Sequence, residues 1–429
     1  MATRRQFLQR SARAVAAAAV YAPVARGAGF DPGSWSSVRD QFLLDDGVTN
    51  LTTFLLASHP KAVRDAIDRH RVALDRDAKR YLDDQEASVE RDVRTAAAAY
   101  LDVDADELAL TDSTTMGLGL VYGGLRLRPG QEVLTTVHDF YSTHESLRLR
   151  ALRSGARVRK IRLYRNARNV SVDEVVSAVR RAIRPQTRVL AITWVHSSTG
   201  VKLPVRSIAN ALRPINARRP RGDRILLCVD GVHGFGVEAA TPAQLGCDVL
   251  VSGCHKWLFG PRGTGIVWAR KTAWPAITPT IPSFDSRTII AWIRGRKPDL
   301  PRALAMTPGG FHSFEHRWAL REAFDFRRQI GCERAAARTH ELAQRLKAGL
   351  QDIKGVSLIT PQSQALSAGL VCFEVANRDP ASVVDRLYDR ARIVASVTPY
   401  AARYVRRGPS ILNSTADVDR ALQAIRALV

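Results

Sequence analysis

Through the middle of the chain, short apolar runs alternate with longer stretches of mixed apolar and polar residues. The runs fall at 108–110, 132–136, 158–163, 188–193, 225–229, 249–252 and 265–268. Near-continuous apolar runs of this length suit strands buried on both faces. Between them, 172–183 and 207–212 carry apolar residues at helical spacing, and Gly/Pro turns punctuate the rest. This alternation predicts an α/β fold with a mostly parallel sheet, whose ligand sites lie at the C-terminal ends of strands.

The flanks read differently. Residues 29–60 show little periodicity and predict an extended N-terminal arm, and 62–100 predicts two charged surface helices. Beyond the sheet, 314–350 predicts one long amphipathic helix. Runs at 356–359 and 369–375 and a helix over 417–428 then suggest a smaller α+β C-terminal domain. The first 28 residues have a basic head (Arg4-Arg5), Phe7-Leu8, an alanine-rich middle and a small-residue end at Ala28. That is the plan of a cleaved export signal, and the paired arginines resemble the twin-arginine type. A periplasmic or secreted protein follows as the expectation.

Composition narrows the class. At 429 residues the chain can hold one large or two medium domains, and 45% hydrophobic residues exclude disorder as the main state. No window approaches the roughly 18 apolar residues of a transmembrane helix. The five cysteines (228, 247, 254, 332 and 372) stand singly, which removes zinc-ribbon and thioredoxin-type sites. A formal net charge of +23 invites a nucleic-acid partner, but the arginines are scattered and no aromatic-basic stripe interleaves. They read as solvated faces, so no nucleic acid is expected.

Walker A, H-E-x-x-H, G-x-S-x-G and G-x-G-x-x-G patterns are absent from the sequence. Chemistry concentrates between about residues 111 and 265. Lys256 stands just past the run 249–252, beside His255 and before a Gly-rich turn. A partly desolvated lysine there has a depressed pKa and can form a Schiff base; a snorkelling lysine fits the same position. Asp230 closes the run 225–229, where a carboxylate either meets a ligand or caps the next turn. Ser113, Thr114 and Thr115 follow one strand and open a helix, as an anion site or as a simple N-cap cluster. His138 to His144 supplies Phe140 and Tyr141 after another strand, able to lie flat against a cofactor ring or merely to fill a loop.

In chain order these pieces are a phosphate loop, an aromatic, a polar strand end at His196-Ser197-Ser198, Asp230-x-x-His233 and His255-Lys256. The order resembles the fold-type I pyridoxal-phosphate enzymes, specifically the class V aminotransferase family, over roughly residues 45–425. The resemblance implies a large cofactor domain over 61–313, a small domain over 314–429, and pyridoxal 5'-phosphate as cofactor. Lys256 would carry the Schiff base and Asp230 would face the pyridine nitrogen. His233 and Ser197 would lie near the phenolic oxygen. Ser113, Thr114, Thr115 and His255 would hold the phosphate, and Phe140 would stack on the ring, with Tyr141 in reserve. Near the end, Arg406 begins an Arg-x-x-x-Ser410-x-x-Asn413 stretch similar to the family's carboxylate clamp, with Arg407 as its possible substitute.

The same resemblance implies a homodimer crossed by residues 309–313, and a small-molecule amino acid or amine as substrate. Transamination, epimerisation and carbon–sulfur lysis share their first steps, so fold does not choose between them. The loop 394–399 lacks the cysteine that desulfurases use as a persulfide acceptor. A rival of another class is a non-catalytic basic binding protein on this fold, holding anionic partners through its charge.

Overall fold

The computed structural model describes residues 30–429, so the export-signal reading lies outside the described residues. The arm 29–60 is more ordered than its sequence suggests. It contains a short helix, Trp35–Arg39, and a two-residue strand β1, Thr49–Asn50. The expected helical pair over 62–100 is present: within Lys61–Leu101 two helices meet at a kink at Asp77 (φ −159°, ψ 79°). Its second half is not a surface segment: Val93, Ala96, Ala97, Ala98 and Leu101 are buried.

Seven strands form the main sheet: β2 (Leu108–Thr111), β3 (Glu132–Thr136), β4 (Arg157–Ile161), β5 (Thr187–Thr193), β6 (Leu226–Asp230), β7 (Val249–Gly253) and β8 (Gly265–Ala269). Their order is β2-β8-β7-β6-β5-β3-β4, and β8 alone runs antiparallel to its neighbours. Alternate residues point to opposite faces, which divides the apolar runs into two cores. Leu110, Leu190, Ile192, Leu227, Val229 and Leu250 pack on one side, and Ala109, Val189, Ala191, Cys228, Val249 and Val251 on the other. Because every strand except β8 points the same way, Thr111, Thr136, Thr193, Asp230 and Gly253 all end at one edge of the sheet. A parallel sheet collects polar side chains at that edge.

A second sheet follows, built from β9 (Val356–Leu358), β10 (Val371–Val375), β12 (Ser396–Val397) and β13 (Val405–Arg407), in the order β12-β13-β10-β9. Another short strand, β11 (Ile393–Val394), instead pairs with β1 of the arm. Helices Cys332–Gln351 and Thr415–Arg426 share a core with this sheet. The single helix expected over 314–350 is three: Phe314–Trp318, Leu320–Ile330 and Cys332–Gln351. Gly331, at φ 89° and ψ 123°, makes the second break in a conformation that other residues rarely adopt.

Candidate functional site

Asp230 is the last residue of β6, hemmed between β5 and β7 and 1% exposed. One carboxylate oxygen accepts the Val232 N–H at 3.0 Å, so the turn-cap reading holds as far as that oxygen. Burial raises its pKa to about 7, with Val232 and the charge of Lys256 pulling the other way. A cation placed against the carboxyl would restore the ionised form.

Lys256 stands three residues past β7 in a tightly tied loop. Phe259 N–H donates to the Lys256 carbonyl at 3.0 Å, Gly260 N–H to that of Cys254 at 2.8 Å, and Cys254 N–H to that of Thr264 at 2.9 Å. Phe259 holds the loop at φ 62°, an unfavourable value for a side-chain-bearing residue. Its buried ring is wedged edge-on against Phe42, with centroids 5.2 Å apart. Burial lowers the Lys256 pKa to about 8; Asp230 opposes this and Arg406 adds to it. Burial thus raises the share of free amine near neutral pH well above that of an ordinary lysine, though the protonated form still predominates.

The helix Thr114–Gly124 begins beside this loop. Ser113 caps it, accepting the Met116 N–H, and the Thr114 hydroxyl accepts the Gly253 N–H at 2.7 Å. Gly253 is small for a reason. A Cβ there would fall 2.9 Å from His255 Cε1 and 3.1 Å from the Thr114 hydroxyl. The Nδ1 of His255 is buried without a hydrogen-bond partner, while the Thr115 side chain is exposed at the helix start. Donors, a helix N-terminus and a cleared backbone together suit an anion.

Arg406 enters from β13, which pairs Arg406 with Cys372 of β10 and with Ser396 of β12. It is 3% exposed; its Nη1 donates to the Ser197 carbonyl at 3.1 Å and its Nε to the Ser396 hydroxyl at 3.2 Å. The guanidinium lies 4.7 Å above the Phe54 ring. No carboxylate pairs with it among the described residues. Arg407, the possible substitute, points the other way and is fully buried over Phe373, with none of its guanidinium nitrogens hydrogen-bonded.

His233 follows β6 and accepts the Trp257 indole N–H at 3.4 Å. Burial holds its pKa well below the usual value, and Lys256, Arg406 and His255 push it further down. Ser197 contacts Arg406 through its carbonyl and Tyr400 through its hydroxyl, at 2.6 Å. Phe140 meets the Tyr400 ring edge-on at 5.8 Å, whereas Tyr141 is 69% exposed and turned outward. The chain thus gathers Asp230, His233, Lys256, Arg406, Ser197 and Phe140 on one side, and Ser113, Thr114, Thr115 and His255 round the helix start.

Two residues of this region carried no role in the sequence reading. Tyr400 arrives on an irregular loop between β12 and β13, where no local pattern marks it. Asp139 is 2% exposed and ties strand ends together, accepting Thr136 N–H at 2.7 Å, Thr193 N–H at 2.8 Å and the Thr135 hydroxyl at 2.7 Å. Its place three residues after the run 132–136 is the available signal.

The profile of the Aminotransferase class-V family matches residues 59–404. Isopenicillin N epimerase of Streptomyces clavuligerus is 27% identical over 404 residues, covering 92% of this chain and 98% of that protein. A probable cysteine desulfurase of Xylella fastidiosa is 28% identical over 312 residues, 70% of each chain. Among solved structures, the cystine C–S lyase C-DES bound to cysteine persulfide superimposes with a TM-score of 0.80 at 20% identity, covering 89% of this chain and 98% of that one. The apo cysteine desulfurase of Thermococcus onnurineus NA1 gives 0.77 at 19% identity, covering 92% and 98%.

Proposed function

We propose, since this chain belongs to the Aminotransferase class-V family, that it is a pyridoxal-phosphate enzyme of fold-type I acting at the α-carbon of an amino acid. The residues fit that cofactor. The buried Asp230 carboxyl suits a protonated ring nitrogen, and the helix start with His255 suits a phosphate. When bound, pyridoxal phosphate supplies a ring that accepts the electron pair left at the α-carbon.

The chain's own residues do the rest. Asp230 keeps the ring nitrogen protonated, and its own pKa falls as that positive charge arrives. Ser113, Thr114, Thr115 and His255 would hold the phosphate, Phe140 would lie against the ring, and His233 and Ser197 would serve the phenolic oxygen. Arg406 binds the substrate carboxylate through the part of its guanidinium that no internal acid uses. Lys256 then takes the α-proton, and burial sets its basicity for that work. Transamination, epimerisation and carbon–sulfur lysis all begin this way, and the relatives named above include an epimerase and desulfurases.

The observation that carries this reading is the juxtaposition of a buried carboxyl, a pKa-depressed lysine and an arginine without an acid partner at the C-terminal edge of the sheet. Borohydride reduction followed by peptide mapping tests it. The cofactor is expected on the peptide containing Lys256; a label on another lysine, or none, overturns the assignment.

Two further parts of the proposal concern the assembly and its location. The working form is a homodimer crossed by residues 309–313. Supporting this, Phe311 is 87% exposed and Phe284, which packs against Gly309, is 56% exposed, so apolar surface gathers at this segment as at an interface. Sedimentation should give about twice the 47.3 kDa chain mass, and a stable, active monomer would contradict it. The protein is exported by the twin-arginine route, on the strength of Arg4-Arg5-Gln6-Phe7-Leu8 and the alanines behind it. Replacing both arginines by lysine is expected to leave a longer precursor in the cytoplasm; undiminished export would end that reading.

A further inference from the structure

Beside the cluster, two cavities share Val137 and Tyr400 as walls. One of about 570 Å³ is lined by Arg162, Arg165, Asn166, Tyr400 and Tyr404, among others. Its inner wall is an aromatic stack. His138 lies parallel to Tyr164 with centroids 4.0 Å apart, and the Tyr164 hydroxyl is 2.9 Å from Nδ1 of His196. Burial keeps both histidines neutral, with pKa values lowered to about 3, so the wall itself carries no charge near neutral pH. The charge comes from Arg162 and Arg165, which form no ion pair among the described residues. Glu174 meets this loop at its backbone, accepting the Arg165 N–H at 2.9 Å. In the adjoining cavity, the single lining glutamate, Glu145, is already paired with Arg148, and Lys160 is left unpaired.

The link to the site is short. The Ser197 carbonyl accepts from Arg406 at 3.1 Å, while the Ser197 hydroxyl meets the Tyr400 hydroxyl at 2.6 Å. Two residues, Ser197 and Tyr400, thus connect the Arg406 guanidinium to the cavity wall. Arg162 and Arg165, two guanidinium groups without an ion pair among the described residues, line the cavity on which Tyr400 also borders.

We propose that this cavity is the subsite for the far end of the substrate, and that it selects an amino acid bearing a distal carboxylate. The inference rests on the reading of Arg406 as the anchor for the α-carboxylate. Arginine is the apt residue for the task, because its fork meets a carboxylate with two parallel, charge-assisted hydrogen bonds. Discrimination arises from both directions. A neutral tail leaves the two like charges of the lining uncompensated, and a cationic tail adds a third.

Calorimetric titration of the holoenzyme with length-matched pairs tests the subsite through affinity rather than turnover. The pairs are glutamate against norvaline and 2-aminoadipate against norleucine. At least one acid is expected to bind about tenfold more tightly than its neutral partner, the effect of one good charge-assisted contact. In R162A/R165A that ratio should collapse towards one, and in R162E/R165E ornithine should overtake glutamate. Both arginines are exposed, so neither replacement removes a packed core side chain. A ratio near one in the parent protein, or a ratio that survives R162A/R165A, overturns the subsite. Failure of the underlying reading looks different: Lys256 takes no borohydride label, or R406A leaves the affinity for every amino acid as it was.

Discussion

Arg406 and Arg407 are chain neighbours in opposite environments, and the contrast decides which one meets a substrate. In a strand, adjacent side chains face opposite sides. Arg406 faces the Lys256 cluster and donates to Ser197 and Ser396, whereas Arg407 lies in the apolar core of the small sheet without a hydrogen bond. Burial lowers the Arg407 pKa to about 9, a sign of how unfavourable its charge is there. The two variants should therefore behave oppositely. R406A is expected to weaken amino-acid binding about 10- to 100-fold, the range for losing charged hydrogen bonds. R407M should keep that binding and raise the urea midpoint, since replacing an unpaired buried charge by a packed apolar side chain is neutral or stabilising. Equal losses of binding from both, read by titration, would remove Arg406 from its role.

Elements were legible in the sequence to the extent that their cause is local. The strands of the main sheet announce themselves because burial on both faces demands continuous apolar runs, and each expected run overlaps a strand. Lys256 and Asp230 were legible for the same reason, since a polar residue ending such a run stands at the sheet's open edge. What failed to show has a non-local cause. The break at Gly331 leaves the apolar periodicity of the flanking helices intact, so pattern alone joins Leu320–Ile330 to Cys332–Gln351. Strand β1 exists through its pairing with β11, which lies more than three hundred residues away. Tyr400 is the sharpest case. Its loop has no periodicity, and only the docking of β12 and β13 beside the main sheet brings its hydroxyl to Ser197.

Across the whole molecule, the placement of the five thiols bears on which reaction is chosen. Some relatives are cysteine desulfurases, and a persulfide formed on the protein requires an accessible thiolate near the substrate sulfur. Here Cys228, Cys247, Cys254 and Cys372 are buried, and Cys332 is half-buried. Burial pushes every one of them towards the protonated form, with Cys247 and Cys372 raised to about 12. The nearest to Lys256 in sequence, Cys254, is fully enclosed behind the lysine loop. Cys372 is paired across the small sheet with Arg406, but no part of it is exposed. The loop from β12 to β13, which borders the Arg406 side of the site, presents Tyr400 and Tyr404 and no cysteine. Opening any of the four buried sites would mean exposing a packed core position, not turning a surface side chain. Incubation of the holoenzyme with cysteine is therefore expected to yield no protein-bound persulfide, as read by intact mass before and after reduction. A mass gain of one sulfur on any of the five, with alanine as co-product, would show that a thiol can be reached by the substrate sulfur and would restore desulfuration as the reaction.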